Sequence, residues 1–212
     1  MQAAKEHFSK IKKKYLKFLK KQEVLGEPFF NKLGQLNNFY IPVCESIFKT
    51  YKKNNNTVII GLGGGQGSGK TTITHILKLI LKNKFNLNVI SFSIDDYYKT
   101  LFERKKMSKN IHELFLTRGV PGTHDIGLLK KNLISLLKKN FKALHIPKFD
   151  KSTDDRSKKS KWFKVKKKPD IVIFEGWCVG AKHQSKKNLI KSCNILEKNK
   201  DKKFIWRKKV NN

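Results

Sequence analysis

Arginine is almost absent from this chain. Only four of its 48 basic residues are arginines (Arg104, Arg118, Arg156 and Arg207), and acidic residues number 16. The 44 lysines that remain recur as doublets in nearly every segment, beside many Asn, Ile and Phe, and the formal net charge is +32. A surface built to grip nucleic acid concentrates its charge on one face and favours arginine for bidentate phosphate contacts. The even lysine spread looks instead like the compositional bias of an A+T-rich coding sequence. Solvated lysines are therefore expected, and a specific nucleic-acid partner is not. Weak, sequence-indifferent affinity for polyanions is still expected.

Cysteine is scarce as well. Cys44, Cys178 and Cys193 show neither CxxC spacing nor an even count, which argues against a disulfide framework and for free thiols in a reducing, cytoplasmic setting. No apolar run approaches the ~18 residues that a membrane span needs. Residues 1–21 lack an uninterrupted apolar core, so no signal peptide and no membrane partner are expected. What is present is enough for one medium domain with a real core: 212 residues, 38% of them hydrophobic, with no internal repeat.

Residues 1–53 read as a helical region. Ile11, Tyr15, Phe18 and Leu19 recur at helical spacing, a second helix is expected over 42–53, and Gly26 and Pro28 separate the two. The remainder, 54–212, reads as the main domain. A β-branched strand is expected over 57–62. Ile73, Ile76, Leu77, Ile80 and Leu81 then mark an amphipathic helix. Further strands are expected over 89–94, 143–146 and 171–174. A loop is expected over 114–125, and a helix over 126–139 with Asp125 as a plausible N-cap. Strands alternating with helices give an α/β fold with a mostly parallel sheet covered on both faces.

Between the first strand and its helix lies Gly64-Gly65-Gln66-Gly67-Ser68-Gly69-Lys70-Thr71, a complete GxxxxGK[ST] phosphate loop in its required context. The glycines let backbone N–H groups turn inward around phosphates, and the helix N-terminus adds favourable partial charge. Lys70 is expected at the β- and γ-phosphates of ATP and Thr71 at Mg²⁺, with Thr72 completing the nucleotide-binding set. The second strand ends in Ser93-Ile94-Asp95-Asp96-Tyr97-Tyr98, two carboxylates at the edge where α/β sheets bind ligands. One of them can accept a proton from an attacking hydroxyl; equally, acids commonly cap the loop after a strand. Glu175 ends the strand Ile171-Val172-Ile173-Phe174 as an acid orienting Mg²⁺ does, or as an ordinary strand-end acid.

These stretches occur in order with Arg118-Gly119-Val120-Pro121-Gly122-Thr123-His124-Asp125, with Pro147-Lys148-Phe149-Asp150-Lys151-Ser152 and Arg156, and with Phe174-Glu175-Gly176-Trp177. Together they resemble the D-glycerate 3-kinase group of P-loop kinases, and are similar also to the phosphoribulokinase, uridine kinase and pantothenate kinase families. The resemblance covers residues 35–210. It implies that Asp95 is the catalytic base and that Tyr97 lines the acceptor pocket. Arg118, His124 and Asp125 lie on the acceptor side, with Asp150, Lys151 and Arg156 closing it. The activity implied is ATP- and Mg²⁺-dependent phosphorylation of a small hydroxy acid, D-glycerate to 3-phosphoglycerate. Alternatives are a uridine- or pantothenate-type kinase, or a nucleotide-binding protein of little activity.

That last alternative arises at the chain's end. Only 36 residues follow Gly176, whereas the resemblance implies a further helix, strand and basic lid. The chain is thus expected to stop early, and to leave an uncovered sheet edge or apolar face near 171–174. Alternatively, residues 1–53 cover that surface.

Overall fold

The computed structural model describes residues 2–23 and 28–211. In chain order the elements are α1 (Gln2–Gln22), α2 (Lys32–Gln35), α3 (Ile41–Asn54), β1 (Val58–Gly63), α4 (Lys70–Phe85), β2 (Val89–Ser93), α5 (Leu101–Asn110) and α6 (Ile126–Leu137). There follow β3 (Leu144–Ile146), β4 (Phe149–Asp150), β5 (Asp155–Arg156), β6 (Phe163–Val165), β7 (Ile171–Gly176), α7 (Lys186–Ile190), α8 (Ile195–Lys200) and α9 (Ile205–Val210). The expected Gly26 break lies outside the described residues. No described helix is long and apolar enough to cross a membrane. All three cysteines are free.

The chain forms two compact units, and the division does not follow the expected boundary after residue 53. One unit comprises Met1–Phe92, Leu136–Phe141 and Lys167–Trp177; the other comprises Ser93–Ser135, Lys142–Lys166 and Cys178–Asn212. The N-terminal helices therefore share a unit with the phosphate loop.

In the first unit a three-stranded sheet runs in the order β1-β7-β2. β1 and β7 pair in parallel from Val58↔Ile171 to Gly63↔Gly176. Ile171, Val172 and Ile173 of β7 are fully buried, as a central strand covered on both faces requires. The expectation of an exposed edge or apolar face at 171–174 is therefore corrected. β7 is flanked by strands on both sides, and N-terminal helices help build the core over it. Ile11, Tyr15 and Leu19 of α1 repeat every fourth residue, Ile41, Cys44 and Ile47 line α3, and both stripes meet Ile76, Leu77, Ile80 and Leu81 of α4. Each such large apolar side chain contributes about 1.5–3 kcal/mol on full burial. Asp170, just before β7, fastens the opposite end of the sheet. Its carboxylate accepts from the Tyr51 hydroxyl at 2.6 Å and the Asn88 amide at 2.7 Å, and its carbonyl accepts from the Val58 amide.

In the second unit the strand expected at 143–146 forms, as β3, but outside the parallel sheet. It pairs antiparallel with β6, while β4 and β5 form a separate antiparallel pair with Phe149 opposite Arg156. α5 is an additional helix. Thr100 and Glu103 close a capping box at its start, and Arg104 is its one buried residue. The last helices are fixed by a buried ion pair: Asp201 accepts the amides of Trp206 and Arg207 and pairs with the Arg207 guanidinium at 3.0 Å.

Candidate active site

The phosphate loop joins β1 to α4 inside the first unit. Gly69, the residue before α4, sits at φ 78°, a left-handed conformation that side-chain-bearing residues rarely adopt. A Cβ on Gly64 would meet the Ser68 hydroxyl at 2.9 Å, so a side chain there would displace Ser68. Within the loop the Ser68 hydroxyl donates to the Gly65 carbonyl at 2.9 Å, and the Lys70 ammonium donates to the same oxygen. Gly65, Gln66 and Gly67 are exposed, and Thr72 is half-buried behind them.

Glu175 reaches this loop from the end of β7. Its carboxylate accepts from the Thr71 hydroxyl at 3.1 Å and from the Thr74 hydroxyl at 3.2 Å. Thr71 and Thr74 lie one turn apart on the face of α4 that Glu175 meets. The Thr71 hydroxyl and the Glu175 carboxylate are hard oxygen donors of the kind that suit a small divalent cation. Among the described residues no cluster of three or more His, Cys, Asp or Glu forms a dedicated metal cage.

The second unit carries the remaining predicted site residues, and it separates the two adjacent acids. Asp96 is bound to backbone: its carboxylate accepts the Ser93 amide in a capping box and the Phe149 amide, and it pairs with Lys148 at 3.1 Å. Asp95 pairs with the Lys151 ammonium at 3.1 Å and faces the Tyr98 hydroxyl, which burial first and the Asp95 charge second keep protonated. Of these two partners Lys151 is exposed and can swing aside, whereas Tyr98 is buried.

The placement of Tyr97 is a correction. Its ring is fully buried, and its hydroxyl accepts from the Asn132 amide at 3.0 Å on α6, so it supports the core and lines no acceptor pocket. Residues 94–97 form a turn of 3₁₀ helix after β2, which replaces the strand's alternation and sends Tyr97 inward. Tyr98 is the aromatic beside Asp95. Its ring stacks on His124 at 4.3 Å and meets Phe149 edge-on at 5.3 Å.

His124 is 2% exposed, and neither ring nitrogen has a hydrogen-bond partner among the described residues. Burial pushes its pKa down to about 4; nearby Lys99 acts in the same direction and Asp95 opposes both. Because the folded protein binds this proton less readily than the unfolded chain, stability is complete above the ordinary histidine value of 6.5. It falls as the pH drops from there toward 4. The loss amounts to about 3 kcal/mol by pH 4. Replacing His124 with Phe keeps an aromatic ring against Tyr98 and removes the titration. Melting curves between pH 7 and pH 4 are expected to show a smaller acid-induced loss for His124→Phe than for the parent. Parallel declines in the two proteins contradict a buried neutral imidazole.

The other predicted residues are each engaged by neighbouring protein groups. Asp125 caps α6, accepting the Leu128 amide at 3.0 Å, and pairs with Arg156 at 3.3 Å. Asp150 accepts the Ser152 amide and hydroxyl, which hold its carboxyl below the usual carboxylate range. Arg118 pairs with Asp154 and lies over the Phe149 ring at 5.3 Å. Arg156 donates from two nitrogens to the Tyr98 carbonyl, at 3.1 and 2.8 Å. Arg104, to which the sequence assigned no role, is fully buried and donates to the carbonyls of Lys99, Leu116 and Asp154. Its capping-box neighbours were the available signal.

A family model described as Phosphoribulokinase / Uridine kinase family matches residues 59–207. Among curated proteins, the uncharacterized kinase mug58 of Schizosaccharomyces pombe is 39% identical over 145 residues, 65% of this chain and 52% of that protein. The chloroplastic D-glycerate 3-kinase of Arabidopsis thaliana is 30% identical over 166 residues, 70% of this chain and 36% of that protein. Among solved structures, D-glycerate 3-kinase from Cryptococcus neoformans matches with a TM-score of 0.63 at 26% identity. The match covers 71% of this chain and 56% of that one. The chain thus spans about half, or less, of the length of these curated relatives.

Proposed function

Because the chain belongs to the phosphoribulokinase / uridine kinase family, we propose that it is an ATP-dependent kinase acting on a small hydroxy acid, D-glycerate before others, with 3-phosphoglycerate as product. The observation that carries this reading is the contrast at the end of β2. Asp96 is locked to backbone amides, while the Asp95 carboxylate, beside the buried Tyr98 hydroxyl, is held by the exposed Lys151 ammonium, which it can exchange for a substrate hydroxyl.

In the reaction the acceptor hydroxyl gives its proton to Asp95 as its oxygen bonds to the γ-phosphorus, and the bond from that phosphorus to the bridging oxygen of ADP breaks. Lys70 and the loop amides receive the charge that develops on the transferring group. Thr71 and Glu175 would hold Mg²⁺, which would supply positive charge against the nucleotide's phosphates. On the acceptor side, Lys151 and Arg118 are the cations suited to a carboxylate. The Arg118 fork matches it bidentately once Asp154 is exchanged for substrate.

A coupled ATP-consumption assay across D-glycerate, uridine, pantothenate and ribulose 5-phosphate tests the reading. D-Glycerate is expected to give the highest kcat/KM. Arg118→Lys is expected to raise KM for the acid by about 10-fold, the loss of one charge-assisted bond, and to spare KM for ATP. Faster turnover of a neutral nucleoside overturns the hydroxy-acid assignment.

A further inference from the structure

We propose that Arg156 is a positioning residue that holds the segment carrying Asp95 in register, and not a ligand of the acceptor's anionic group. The inference rests on the kinase reading for its catalytic consequence, but its geometry stands on the second unit alone.

The guanidinium of Arg156 is consumed by three contacts. Nε and Nη2 both donate to the Tyr98 carbonyl, at 3.1 and 2.8 Å, and Nη1 pairs with the Asp125 carboxylate at 3.3 Å. Its side chain is 11% exposed, so little of the fork remains for a ligand. The two groups it joins belong to two chain segments that already run side by side. The Lys99 amide donates to the Thr123 carbonyl at 2.8 Å, the Asp125 amide donates to the Tyr97 carbonyl at 2.7 Å, and Tyr98 bridges His124 between them. Two backbone hydrogen bonds are a short ladder, and an isolated pair of this kind is weak. Arg156, itself anchored opposite Phe149 in the β4–β5 pair, fastens that ladder from outside. Asp95 lies three residues before the carbonyl it grips and faces the hydroxyl of the same Tyr98.

The other arginines point the same way. Arg104 is forked onto three carbonyl oxygens, and Arg207 onto the carbonyls of Ile190 and Asp201 together with the Asp201 carboxylate. In a chain this rich in lysine, arginine is retained where one planar group must bridge several fixed oxygens. An ammonium offers no such planar geometry. Arg118, 30% exposed at its side chain and paired with Asp154, remains the arginine suited to substrate.

Arg156→Lys and Arg156→Met in the full chain test the assignment by two readouts. In steady-state kinetics kcat is expected to fall by about 10–100-fold for Met, the loss typical of a displaced catalytic group, and by less for Lys. KM for the acid should stay within about two-fold, since no ground-state contact is removed. In hydrogen exchange the Lys99 and Asp125 amides are expected to exchange about 10-fold faster in the Met variant, because the ladder opens more often. A KM for the acid that rises with kcat unchanged overturns the proposal and makes Arg156 a ligand. Unchanged exchange at both amides overturns it irrespective of turnover. If exchange quickens as expected while the parent phosphorylates no acid, the tie stands and the kinase reading fails.

Discussion

Asp95→Asn is expected to lower kcat by about 10²–10⁴-fold, the usual loss when a general base is removed, while ATP binds as it does to the parent. The amide keeps the shape of the carboxylate and can still accept from the Tyr98 hydroxyl, so the loss reports the missing proton acceptor. Asp96→Asn is the matched control. Asp96 serves the capping box at Ser93 and the Phe149 amide. Weakening those bonds is expected to lower stability by about 0.5–2 kcal/mol, the range for a lost cap, with turnover per folded molecule nearly retained. Quenched-flow phosphoryl transfer together with equilibrium ATP binding checks both variants. A large catalytic loss in Asp96→Asn with little in Asp95→Asn reverses the two roles.

Lys70→Met is expected to reduce kcat by about 10²–10³-fold, the magnitude found when one donor to developing charge is removed. The thioether roughly fills the space of the lysine stem, and the loop retains its Ser68 bond to the Gly65 carbonyl. The difference therefore lies in the positive charge presented to the phosphates. Nucleotide affinity should fall as well, but by less than the rate, because the ammonium opposes charge that grows during transfer. Single-turnover rates at saturating ATP isolate the chemical step. A rate within a few-fold of the parent excludes Lys70 from charge stabilisation.

The elements that were legible in the sequence are those set by short-range rules. The phosphate loop needs left-handed glycines between a strand and a helix, and Gly67 and Gly69 at positive φ supply them. The stripe from Ile73 to Leu81 has a helical period, and α4 follows it. Glu175 could be read as a strand-end acid, and the Thr71 contact adds a partner that no local pattern carries. Three things were illegible. α5 has no apolar stripe, since Arg104 is its one buried residue, so periodicity passed over it although Thr100 and Glu103 spell a capping box. Which tyrosine faces Asp95 depends on the 3₁₀ turn after β2, and the strand rule gives no warning of that turn. What most of the scarce arginines do is equally hidden from the sequence. Three of the four guanidinium groups hold backbone carbonyls 12 to 58 positions away, pairings that exist only in the folded chain.

The parallel register of β1 with β7 has a consequence for how this chain can change over time. Thr71 and Glu175 are 104 positions apart, yet their meeting is set by the six paired positions from Val58↔Ile171 to Gly63↔Gly176. The length of the intervening polypeptide does not enter that arithmetic. Residues can be added to or lost from surface connections in between without altering how the acid approaches the hydroxyl. A slip of one position within either strand, by contrast, turns Glu175 to the other side of the sheet. Descent can therefore lengthen and redecorate most of this lysine-laden chain, while twelve paired residues hold the Thr71–Glu175 contact to one geometry.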